Sequence, residues 1–247
     1  MRRNLNRTLP VVGLSLCGLL CFLAPAKASL LTSANSVSNG TDSLPDPYVV
    51  SSTDLLTGLT ATNVTGNFSQ EGSGGIGVLN DGMVPATATR GSFGPFPLSG
   101  FATGGNTGGT SATYVLAAPA TITSIVVYGG WQDSGRDQQG YSILYSTPAN
   151  PTTFLPLVTG FEFNPPDSSL HPQLTQSTIT DTTGILASDV YALKFNFNTV
   201  ENGYTGYDEI DVFGSAPLPE PASLALFGLG LVGVGFAARR RERRPAR

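Results

Sequence analysis

The sequence predicts an all-β fold, a sandwich of the jelly-roll type. Three observations point there. Between its two ends, the 247-residue chain has almost no helical periodicity. Short runs of β-branched and aromatic residues alternate with polar ones, the period-two pattern of strands with one face on a core and one in water. Gly, Ser, Thr and Asn separate these runs, which suits many short antiparallel strands joined by turns.

Residues 1–28 have the build of a secretory signal peptide. Arg2, Arg3 and Arg7 make a positive start, and Leu9 to Leu23 is an apolar run. Ala26-Lys27-Ala28 sets small residues at both positions of a cleavage site, so cutting is expected between Ala28 and Ser29. An uncleaved anchor is disfavoured by the short run and by Pro10 and Pro25. A lipid anchor on Cys17 or Cys21 is disfavoured because Gly13 to Leu16 falls too early in the run for a lipobox. Residues 29–48 are polar, with Pro45 and Pro47 near the end, and read as a linker or lead-in.

The predicted β-domain spans residues 49–214. Ser111 to Ala117 reads as a strand ended by Pro119, and Ile122 to Tyr128 as another ended by Gly129-Gly130. Tyr141 to Ser146 alternates, with Tyr141, Ile143 and Tyr145 on one face. Tyr191 to Asn198 puts Tyr191, Leu193, Phe195 and Phe197 inward. In Asp208 to Phe213, Ile210 and Val212 oppose Glu209 and Asp211, which are expected in water. No repeat period supports a propeller or solenoid.

Beyond the domain, Pro219-Glu220-Pro221 precedes a seventeen-residue apolar run, Ala222 to Ala238, and then Arg239-Arg240-Arg241. That run sits at the short edge of what spans a bilayer as a helix. The arginines would stay in the cytoplasm and leave the domain outside. Gly228, Gly230, Gly233 and Gly235 thin the helix and allow close packing on another.

Charge is divided unevenly. The net balance is −4, but residues 29–216 hold fifteen acidic and three basic residues, a balance of −12. Such a domain repels phosphate backbones, so no nucleic-acid partner is expected. Both cysteines, Cys17 and Cys21, lie in the N-terminal apolar run. A mature chain without them has no disulfide, thiolate nucleophile or cysteine-bound zinc.

The order Pro-Glu-Pro, Gly/Leu-rich span and terminal arginine cluster, over Pro217 to Arg244, resembles the PEP-CTERM sorting signal of Gram-negative bacteria. The resemblance implies processing by an exosortase and an exopolysaccharide-producing host. Pro219, Glu220 and Pro221 would be recognised, the span would park the chain in the inner membrane, and Arg239, Arg240 and Arg241 would stop transfer. The protein would then pass to the cell surface or extracellular matrix.

A second resemblance covers residues 49–214. Leu79-Asn80-Asp81-Gly82, the strand–loop–strand Ile122 to Ser146 followed by Phe154, and the closing Tyr207 to Gly214 resemble, in order, the discoidin or coagulation-factor C-type module. That module belongs to the galactose-binding-like jelly rolls. The resemblance implies a structural Ca²⁺ held partly by Asp81 and Glu209. Two features depart from it: Gly91-Ser92-Phe93 stands where the family commonly has Trp, and there is no terminal disulfide pair.

Catalysis finds little support. The single histidine, His171, lies in a Pro/Ser/Asp-rich loop, and no serine sits in a Gly-x-Ser-x-Gly elbow. Asp208, Glu209 and Asp211 share one strand and do not make a facing carboxylate pair. The loop Gly129 to Gly140 holds Trp131, Gln132, Asp133, Arg136, Asp137 and Gln138, the densest cluster of types that meet sugars. Trp131, Asp133 and Arg136 are the candidate ligand residues. The competing reading is structural: Trp131 covers the end of the sandwich and Arg136 pairs with Asp133 or Asp137. The expected function is that of a non-enzymatic, exported matrix or surface protein that binds exopolysaccharide. The alternatives are a coat protein without a ligand and a jelly-roll hydrolase.

Overall fold

The computed structural model describes residues 29–40, 48–84, 100–106, 109–166, 170–198, 200–201 and 203–216. They form nine strands. These are β1 (Leu30–Val37), β2 (Thr62–Thr65), β3 (Ala102–Gly104), β4 (Thr110–Gly130), β5 (Gln139–Thr147), β6 (Asn150–Phe163), β7 (Leu174–Asp181), β8 (Ala187–Phe197) and β9 (Thr205–Ser215). Short 3-10 turns cover Gln70–Gly72 and Ile76–Asn80. Every strand pairing is antiparallel.

The 21-residue β4 joins the two layers. Its first half pairs with β2 and β8, and β8 continues to β5 and β6. Its second half pairs with β7 and β9, which continue to β1 and β3. The sheet orders are therefore β2-β4-β8-β5-β6 and β1-β7-β4-β9-β3. Register shifts between Val115 and Ala120 mark the corner. Pro119 sits inside that irregular stretch, where its missing N–H removes no regular ladder bond. The two strands expected on either side of Pro119 are thus one bent strand.

One core cluster fills the space between the layers. Tyr114, Ile143, Leu193, Phe195 and Phe197 come from one sheet, and Ile125, Val127, Ile179, Tyr207, Ile210 and Val212 from the other. Each such side chain contributes about 1.5–3 kcal/mol when fully buried. The expected inward set of β8 is met at Leu193, Phe195 and Phe197. A register shift between Tyr128 and Gly129 lets Tyr207 and Ile210 both face this core. The core is not all apolar. Gln139 Nε2 donates to Val127 O and Thr175 Oγ1, Ser177 Oγ donates to Gln139 Oε1, and the Tyr141 and Ser177 hydroxyls lie 2.6 Å apart. These bonds tie the two sheets together, and each buried polar group in them has a partner.

Three expectations are corrected. Leu30–Val37, within the segment read as a linker or lead-in, is β1, an edge strand laid along the full length of β7. Its side chains are mostly exposed, so backbone pairing rather than core burial holds it. Glu209 and Asp211, expected in water, are 0% and 1% exposed. Residues 48–59 and the Asp81–Met83 turn cross that outer face. Ser51 N–H donates to Asp211 Oδ2 (2.9 Å) and Gly82 N–H to Glu209 Oε2 (2.8 Å). Alternation identified the face but not what covers it.

The expected signal peptide with Ala28, the motif at Gly91-Ser92-Phe93, and Pro219, Glu220, Pro221, Arg239, Arg240 and Arg241 lie outside the described residues. Ser29 is described, and it exchanges bonds with Thr182. No helix of the described residues is long and apolar enough to cross a membrane, and the run Ala222 to Ala238 lies outside them.

Candidate functional site

Several strand ends meet at one tip of the sandwich. Gly130 at the end of β4 pairs with Leu174 at the start of β7. Gln139 at the start of β5 pairs with Phe163 at the end of β6, and Tyr141 with Phe197 at the end of β8. The loop 131–138 closes this tip.

Trp131 does not face solvent. It is 0% exposed, with its ring 5.5 Å from Phe101 and 6.5 Å from Tyr204. Leu174 completes a small core of its own. A fully buried indole has no face to offer a sugar, so the expected stacking role is not met and the structural reading holds. Gly206 explains how β9 approaches so closely: a Cβ there would collide with Gly130 O and stand 2.7 Å from the indole Cε3.

Arg136 is structural as well, but with a different partner from those expected. Its terminal nitrogens donate to Glu71 at 2.6 and 3.0 Å, a two-point contact fitted to the planar guanidinium. Its guanidinium carbon lies 4.1 Å from the Tyr204 ring centre and 5.1 Å from that of Trp131. Its backbone takes φ +87°, a region L residues avoid, and is held there by bonds to Glu201 and from Gly206. The bond to Arg136 holds the Glu71 carboxyl below its ordinary value. Asp133, half-buried, accepts the Gly135 N–H and stays within its own turn.

Beside this loop is a pocket of about 370 Å³ lined by Gln138, Gln139, Glu162, Phe163, Asn164 and Val200. The carboxamides of Gln138 and Asn164, the carboxylate of Glu162 and the ring of Phe163 are the groups that meet sugar hydroxyls and C–H faces; the Gln139 amide is taken up by Val127, Thr175 and Ser177. The sequence cluster reached Gln138 but missed the β6 side of the pocket. The available signal was Phe163-Asn164-Pro165-Pro166, an aromatic and an amide at a strand-ending turn.

Asp81 and Glu209, far apart in sequence, are brought together as the resemblance implied, because each carboxyl acts on the other. Gly82 takes φ +75° and packs against Ser52, which lets its N–H and that of Met83 point at Glu209 Oε2. Burial raises the Glu209 carboxyl to about 9, and the charges of Asp81 and Asp211 push the same way. Loss of surrounding water also raises Asp81. The charged groups acting on Glu209 are acidic, so the pair fits a hard cation. Asp81 also lines a pocket of about 380 Å³, a route by which an ion could reach it. Among the described residues, no three His, Cys, Asp or Glu side chains converge as a metal cage, so backbone carbonyls and water would complete the shell.

Comparison with known proteins adds the following. The PEP-CTERM protein-sorting motif matches residues 217–241. No curated protein matches the chain. The family 32 carbohydrate-binding module from Streptococcus pneumoniae EndoD is 14% identical with a TM-score of 0.40, over 66% of this chain and 100% of that one. A pectin-binding carbohydrate-binding module is 16% identical with a TM-score of 0.37, over 65% and 96%. An F5/8 type C domain of a Bacteroides fragilis protein is 20% identical with a TM-score of 0.34, over 47% and 73%. The chain thus carries a PEP-CTERM protein-sorting motif over residues 217–241, following an all-β sandwich of antiparallel strands.

Proposed function

We propose that the sandwich is a non-catalytic carbohydrate-binding domain, and that its ligand is an uncharged saccharide unit of an exopolysaccharide held in the tip pocket. The observation that carries this reading is the pocket lining. Gln138 and Asn164 supply amide donors and acceptors, Glu162 an acceptor pair, and Phe163 a ring, while Gln139, whose amide is bonded inside the core, forms the floor. A volume of about 370 Å³ suits one or two sugar rings. Hydrolysis needs two carboxyl groups flanking the glycosidic bond, and Glu162 is the one carboxylate among the described lining residues. The acidic balance of the domain turns away anionic polymers.

Glycan-array binding followed by calorimetry tests this. Phe163→Ala and Glu162→Gln should each weaken the bound glycan about tenfold with little change in melting temperature. Wild-type protein that binds no glycan, in calcium or in chelator, would overturn the reading and leave a coat protein without a ligand.

The sorting motif supports a second part. We read residues 1–28 as removed on export, Ala222 to Ala238 as a temporary inner-membrane span, and Pro219-Glu220-Pro221 as the exosortase recognition element. The product then resides at the surface or in the matrix. Intact mass of the protein recovered from cells checks this. A start at Ser29 and an end near Pro219 are expected, and a full-length mass would reject the processing.

A further inference from the structure

The tip loop holds one carboxyl group that nothing described so far explains. Asp137 is 0% exposed, and neither of its carboxylate oxygens has a hydrogen-bond partner. A carboxylate removed from water without compensation is strongly disfavoured. A cation is covalently next door, but Arg136 turns its guanidinium the other way, onto Glu71 and Tyr204.

What meets Asp137 is more negative charge. Glu201 is drawn to this spot because its Oε2 accepts the N–H groups of Arg136 (2.8 Å) and Gln138 (3.3 Å), the residues on either side of Asp137. The charge of Glu201 acts on the Asp137 carboxyl, and the charge of Asp133 also acts there. Burial, with the Glu201 charge second, raises Asp137 to about 8. The arrangement is a buried carboxyl group without a hydrogen-bond partner, beside a second carboxyl group that the backbone holds in place.

We propose that Asp137 and Glu201 are ligands of a hard divalent cation of the calcium class, which ties the 131–138 loop to the segment entering β9. This site is separate from Asp81 and Glu209 and does not depend on the saccharide reading. Two carboxylates do not fill a calcium shell, and no third acidic, histidine or cysteine side chain among the described residues joins them as a cage. Carbonyl oxygens and water complete such shells readily. Zinc and copper are poor candidates, because neither a histidine nor a cysteine lies in the loop. A cation here would also fix Gln138, a wall of the tip pocket.

Trp131 makes a local test available. It is the single tryptophan of the chain, in the same loop, with its ring against Arg136. Tb³⁺ substitutes for calcium at oxygen sites and emits when a nearby excited indole passes energy to it. Protein recovered from cells should show indole-sensitised Tb³⁺ emission that calcium displaces. Asp137→Asn and Glu201→Gln should each weaken Tb³⁺ binding at least tenfold, while Glu209→Gln leaves it unchanged. Asp137→Asn should melt in chelator at or above the wild-type temperature, which shows that it folds. If it does not fold, Glu201→Gln decides. No sensitised emission from wild type, emission that survives both tip substitutions, or emission lost only in Glu209→Gln would each overturn the proposal.

Discussion

Trp131→Ala should cost the domain about 3–5 kcal/mol, the usual range for truncating a buried aromatic. For a domain of this size that lowers the melting temperature by on the order of 10 °C. The effect should be large because Trp131 anchors a separate small core with Phe101 and Leu174. Arg136 rests on the same ring, and Gly206 lets β9 pack against it. Emptying the site removes support from the loop, from the entry to β9 and from the Arg136–Glu71 contact together. Trp131→Phe keeps a ring beside Phe101 and should lose much less. The two variants also separate support from contact. Trp131→Phe should keep glycan binding, whereas Phe163→Ala should lose binding and stay folded. Denaturant melts of the three proteins check this, and an unchanged midpoint for Trp131→Ala would contradict the packing argument.

The sequence revealed strands wherever their inward residues are apolar. β8 alternates Leu193, Phe195 and Phe197 with polar residues, and its core face could be read directly; the two halves of β4 stood out as runs of β-branched, aromatic and other apolar residues. β7 gave no such signal because its buried residues include Thr175 and Ser177, which face the core through Gln139 and Tyr141. Pattern reading sees a polar run there, since the compensating bonds come from a strand far away in sequence. β6 carries Pro151, Pro156 and Gly160 and is largely exposed, as an edge strand can be. β1 is an edge as well and was hidden in a polar lead-in. The same limit applies to the site. The loop cluster at 131–138 lies at the tip beside the pocket. Which of its side chains point inward depends on Phe101, Glu71 and Tyr204, which local sequence does not connect to it. The pairing of Asp81 with Glu209 came from family resemblance, because no local pattern links a turn to a strand 128 positions later.

In chelator, stability is expected to fall as pH rises from the ordinary Glu209 value of 4.5 toward its folded value of about 9. The sign follows from proton counting. Across that window the folded chain keeps a proton on Glu209 that the unfolded chain has released, so each rise in pH favours unfolding. The ceiling for one such group is about 1.4 kcal/mol per pH unit. Asp137, raised to about 8, adds a slope of the same sign. In an Asp137→Asn background the remaining slope belongs chiefly to Glu209, and adding Glu209→Gln should flatten it. The double variant should therefore be more stable than Asp137→Asn alone at alkaline pH in chelator. Calcium changes the direction. An ion held by Asp81 and Glu209 binds only the native state and needs both carboxyls ionised, so it should raise the melting temperature most where the chelated protein is weakest. Melts in the Asp137→Asn background, with calcium and with chelator, read this without interference from the tip. A midpoint independent of pH in chelator would remove the argument from burial. A midpoint that calcium leaves unmoved at alkaline pH would remove the ion from Asp81 and Glu209, and leave the Gly82, Met83 and Ile210 N–H groups to compensate that carboxyl.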